Sequence, residues 1–127
     1  MYYIDTKQEL ADALHKEQET FEIAGDLINT VLKIKSIGTF SWVVVLPAIG
    51  TATLATLATT KVGKIVTPLT LPIATFYAIG AIPILGLSTT KSAIEIAVAA
   101  GGVNALNQLR KYKIIENTKE KLVLKKN

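Results

Sequence analysis

Apolar residues fill two long runs, residues 36–60 and 65–90, and the only charges within 36–90 are Lys61 and Lys64. A bilayer core takes roughly 20 helical residues at about 1.5 Å rise each, so either run is long enough to cross as a helix. The pattern predicts two membrane spans joined by a tight turn at Lys61-Val62-Gly63-Lys64. Pro47 predicts a kink in the first span. Pro68, Pro72 and Pro83, with Gly80 and Gly86, interrupt the second. A membrane helix tolerates such breaks because neighbouring helices and Thr hydroxyls can satisfy the freed carbonyls. The short flanks could not cover both runs in water without leaving a large apolar patch, so the pattern favours the membrane.

The flanks alternate differently. Tyr2-Tyr3-Ile4 predicts a short strand. Thr6 with Glu9 three residues on forms a capping box, and Leu10, Ala13 and Leu14 follow at helical spacing. Glu19-Thr20-Phe21-Glu22-Ile23 alternates as a half-buried strand does. Leu27 to Ile34 fits a helical face at first and strand alternation towards its end, which predicts a short helix passing into an extended segment. Ser92 with Glu95 predicts a second capping box, opening a small-residue helix over 93–109. Glu95 at one end and Asn104, Asn107 and Gln108 at the other make it a poor third span, so it should lie at the interface or pack beside the hairpin. Tyr112-Lys113-Ile114-Ile115 and Leu122-Val123-Leu124 around a polar turn predict a β-hairpin. A lone hairpin is marginal in water, so its partner should be the N-terminal strand–helix–strand piece.

The expected fold class is therefore a mainly α membrane protein. A two-span helical hairpin (36–90), with a third interfacial or packed helix (91–109), is inserted in a small α+β domain made from the two termini (1–35 and 110–127).

Composition adds a direction. The chain has 127 residues, a formal net charge of +4 and no cysteine. Few aromatics and no nucleic-acid motif argue against nucleic acid as the partner. The basic residues flank the runs and crowd the C-terminus, which suits anionic head groups. Lys33, Lys35, Lys91, Arg110 and Lys111 are the candidate head-group contacts, and Trp42 the candidate interface anchor. Their bias over Lys61 and Lys64 places both termini on the cytoplasmic side of an inner or cytoplasmic membrane.

Chemistry is sparse. His15, the one histidine, has no ligand partner on its face and reads as a solvated helix residue. Gly101-Gly102 does not follow a strand and is not a phosphate loop. The serines lack a base and the carboxylates sit in water-facing patterns, so neither catalysis, a metal nor a cofactor is expected. The informative residues lie in the runs. Thr53, Thr56 and Thr60 share one helical face and are candidate pore-lining residues. Ala48, Ala52 and Ala55, with Gly80 and Gly86, are candidate helix-packing positions, since small residues let backbones approach closely in lipid. Together they predict a self-associating membrane protein, a homo-oligomer that forms a pore or perturbs the bilayer in the manner of a toxin, holin-like protein or defence effector. The alternative is a non-conducting membrane anchor or adaptor whose α+β domain recruits a protein partner.

Overall fold

The structure is a computed structural model that describes residues 2–59 and 80–127. The turn at 61–64, Thr60, Pro68, Pro72 and most of the second apolar run lie outside the described residues.

The first strand, β1 (Tyr2–Ile4), leads into helix α1 (Lys7–His15) and then β2 (Thr20–Ile23). β1 and β2 pair in parallel, so the chain must cross over between them, and α1 makes that crossing. Thr6 caps α1, its hydroxyl accepting from Glu9 N–H at 3.1 Å. Glu9 reaches back one residue further than in the usual box, accepting from the Asp5 N–H at 3.2 Å and from the Thr6 hydroxyl at 3.1 Å. Leu10, Ala13 and Leu14 are all buried, and His15 is exposed.

The C-terminal strands β3 (Lys113–Asn117) and β4 (Leu122–Lys125) form an antiparallel hairpin with a bulge between Ile114 and Glu116. β4 also pairs antiparallel with β2, giving one sheet in the order β1-β2-β4-β3. Period-two alternation aims Ile4, Phe21, Ile23, Leu122 and Leu124 into the core. Tyr112 stitches the end of the last helix to this sheet. Its ring lies 5.0 Å from Phe21 and its hydroxyl donates to the Gln18 carbonyl at 2.6 Å.

Between these terminal pieces lie α2 (Leu27–Ser36), α3 (Thr39–Thr59), the single turn α4 (Ile82–Leu85), α5 (Leu87–Ala100) and α6 (Asn104–Lys111). α2 stays helical through Ile34, where the sequence suggests a passage to extended chain. Burial of Leu27, Ile28, Val31 and Ile34 on one face decides it.

The expected two-span hairpin is not what forms. The molecule is a small α+β domain, and α3 is the one helix among the described residues long and apolar enough to cross a membrane. The described end of the second run is a turn of helix, then Gly86 at φ +87° and ψ 157°, then α5. α5 runs straight through Thr90 and Lys91, where a span boundary was expected, and Ser92 lies buried inside it rather than at its cap. Of the two placements expected for this helix, interfacial or packed, α5 is packed, at the centre of the domain, with Ala93, Ile94, Ile96 and Ala97 fully buried. Each of the other five described helices packs on it. A helix surrounded by protein and one surrounded by lipid are apolar for the same reason, so hydropathy alone could not separate them. Glu95, its one acid, reaches Lys7 of α1 at 2.8 Å.

The helix expected over 93–109 breaks in two at Gly101. There φ is +85°, Gly101 N–H donates to Val98 O at 3.1 Å, and Gly102 N–H donates to Ala97 O at 2.9 Å. This is a Schellman end, which needs a left-handed residue. α1 ends the same way, with Glu17 N–H to Leu14 O at 3.2 Å and Gln18 N–H to Ala13 O at 3.0 Å, but its left-handed residue, at φ +53°, is Glu17. The two ends make a matched pair. Gly101→Ala should cost about 1 kcal/mol, and Glu17→Gly should gain about 0.5–1 kcal/mol despite losing an exposed ion pair to Lys126. Urea unfolding followed by far-ultraviolet circular dichroism measures both. Opposite signs are expected, and equal destabilisation would show that the two ends are not equivalent.

Candidate functional site: the two faces of α3

α3 is apolar nearly all round, yet among the described residues only one side of it is covered. Trp42, Val45, Ile49, Ala52 and Thr56 recur at steps of three and four and are buried, with Thr53 beside them. On the other side Phe40 is 91% exposed, Val43 67%, Val44 51% and Leu54 70%. Pro47 and Thr51 fall in the same exposed row. The outer row repeats at the same helical spacing as the inner one, so the exposure is a continuous stripe rather than scattered residues.

A compact polar cluster holds the start of α3 on the domain. Trp42 donates its indole N–H to Asn107 Oδ1 of α6 at 2.8 Å. The Arg110 guanidinium stacks over the same ring, 4.5 Å from its centroid. Arg110 in turn donates to the Ile34 carbonyl, at the end of α2, at 2.7 Å. Lys35, in the last turn of α2, returns the arrangement. Its ammonium donates to the carbonyls of Leu109 at 3.1 Å, Arg110 at 3.2 Å and Tyr112, all at the end of α6. Two helix C-termini therefore meet, each with unpaired carbonyls and partial negative charge, and each supplies the cation that caps the other. Burial, and then the neighbouring Arg110 charge, lower the Lys35 pKa from its ordinary value. The three carbonyls offset that cost, and they use all three ammonium donors.

The expected site residues sort accordingly. Lys35 and Arg110 hold helix ends, and Trp42 is buried against the domain. Lys33 and Lys111 are exposed and Lys91 is half-buried. Thr53 and Thr56 are each 1% exposed, and their hydroxyls donate to Ile49 O at 2.7 Å and Ala52 O at 2.8 Å within their own helix. Thr60 lies outside the described residues. Ala48 and Gly80 are brought together: a Cβ on Gly80 would lie 3.8 Å from that of Ala48. Ala52 is buried, Ala55 half-buried, and Gly86 exposed, with open space where a Cβ would stand.

Two features escaped sequence reading. The reciprocal caps join residues 74 to 77 positions apart, a pairing with no local signal. The stripe on α3 is hidden because the covered and uncovered sides are equally apolar. One signal was available: from Asp26 to Glu95 the chain has no acidic residue between those two and five lysines. Among the described residues no group of three or more His, Cys, Asp or Glu could hold a metal.

The fold and this surface define a small helix-rich α+β domain with one apolar helix lying exposed along its flank. The chain belongs to the family described as "Uncharacterised protein PM1101", whose model matches residues 3–126. Neither a curated protein nor a solved structure matches it.

The cap exchange predicts a contrast between neighbouring lysines. Lys35→Met should cost about 1.5–3 kcal/mol, because it leaves the α6 carbonyls without charged donors. Lys33→Met, on the exposed side of the same turn, should stay within about 0.5 kcal/mol. Urea unfolding read by the fluorescence of Trp42, the single tryptophan, compares them. Equal effects would mean that Lys35 is a free surface charge.

Proposed function

We propose that this chain is a non-enzymatic adaptor that attaches to a bilayer surface through α3 and offers its α+β domain to a protein partner. The observation that carries this reading is the uncovered stripe of Phe40, Val43, Val44, Pro47, Thr51 and Leu54 on a helix with no charged residue. A helix that is apolar on every side is ordinarily covered on every side, and only a third of the residues in Thr39–Leu57 are buried. Contiguous apolar patches of a few hundred Å² are often functional contacts.

Magnitudes say how such attachment would work. Burying Phe40, Val43, Val44 and Leu54 from their present exposure is worth on the order of 5 kcal/mol, taking about 1.5–3 kcal/mol for each complete burial. Alone that corresponds to a dissociation constant of roughly 0.2 mM. Each lysine within reach of an anionic surface adds about 1 kcal/mol. Within the acid-free stretch, Lys33 is exposed and Lys91 half-buried, and these two supply the second signal that reversible membrane attachment requires, Lys35 being held as a helix cap. The adaptor is preferred to a conduit because the Thr53 and Thr56 hydroxyls are turned into their own helix and buried.

Flotation of the full chain with vesicles tests this. The chain should float with phosphatidylcholine vesicles containing phosphatidylglycerol, more weakly with phosphatidylcholine alone, and less as salt rises. Val44→Asp should lower partitioning at least about tenfold, or ~1.4 kcal/mol, while leaving the thermal melt unchanged. Failure to float with either vesicle would end the membrane reading.

A further inference from the structure

We propose that α3 lies along the bilayer surface and not across it. Its outer stripe rests at the boundary between head groups and acyl chains of one leaflet of an anionic membrane. The proposal rests on the membrane-attachment reading and specifies the pose.

Length does not decide the pose, since Thr39–Leu57 is long enough to cross. The inner face does. It is buried from Trp42 in the first turn to Thr56 near the last, and α3 packs along α5. Trp42 is also fixed by Asn107 and Arg110. To stand upright in the membrane, α3 would have to strip from the domain and bare the apolar core that it covers. Lying flat keeps the packing of the described residues, because Phe40, Val44, Pro47, Thr51 and Leu54 already form one row.

Two further observations fit this depth and this occupant. Pro47 has no N–H, so it cannot donate to the Val43 carbonyl four residues back, and Val43 is 67% exposed. At the head-group boundary water and lipid polar groups supply a donor, and at mid-bilayer only protein could. The row from Phe40 to Leu54 is about 21 Å long on a helix about 10 Å wide, roughly 200–300 Å² of surface. A stable dimer needs about 800 Å² from each partner, so a second copy seated on this stripe is undersized. A lipid surface has no such threshold, and Lys33 and Lys91, in a stretch without acids between Asp26 and Glu95, match anionic head groups in sign.

The absence of cysteine makes the test clean. Phe40→Cys, Val44→Cys and Thr51→Cys, each in the full chain, carry a small environment-sensitive fluorophore. They are mixed with vesicles of phosphatidylcholine and phosphatidylglycerol in equal parts, with quenchers attached at shallow and deep positions on the lipid. All three sites are exposed, and circular dichroism checks that each labelled chain remains folded. The expected result is a blue shift at all three with the same shallow depth, about 5–10 Å below the head groups. Depths that grade along the helix, by about 16 Å from Phe40 to Thr51, would overturn the flat pose while keeping attachment. A blue shift without vesicles, unaffected by lipid-borne quenchers, would replace the membrane with a second copy of the chain. No shift under any condition would remove membrane attachment itself.

Discussion

Everything in this fold leans on the burial of α5. It is the one helix that all the other described helices touch, and its sequence is small and apolar enough to be surrounded. Ala93 and Ala97 let neighbours approach, while Ile94 and Ile96 fill the space between them. Two of its polar residues have partners within the fold. Thr90 donates to Gly86 O at 2.7 Å, and Glu95 finds Lys7. The sheet could not stand without this layer, since β1 and β2 are only three and four residues long and bring one apolar face that needs a cover.

The second constraint is electrostatic. Packing α2 against α6 brings two helix C-termini together, an arrangement that like-signed partial charges oppose. Lys35 and Arg110 resolve it by exchanging caps. Because Arg110 also stacks on Trp42, the same exchange fixes where α3 leaves the domain. The orientation of the exposed stripe is thus inherited from a capping problem one layer deeper. The exposed stripe and the core are not independent designs: the face of α3 that meets solvent is whatever remains after Trp42, Val45, Ile49 and Ala52 have been placed.

Sequence pattern by itself determined the local elements of the flanks. The strand at Tyr2-Tyr3-Ile4, the Thr6 cap, the alternation ending at Ile23 and the C-terminal hairpin all follow from short-range rules that act within a few residues. It also marked α3 as apolar beyond ordinary need. What it could not decide was the medium. Apolar residues are selected alike by lipid and by surrounding protein, so hydropathy did not show that α5 is enclosed by helices while α3, among the described residues, is covered along one side only. Nor could it pair Lys35 with the end of α6, because a cap supplied from 74 positions away leaves no trace in local composition. Which apolar helix became core, which lysine became a cap and which face of α3 stayed open were settled only when distant segments met, since each depends on a neighbour that the local sequence does not contain.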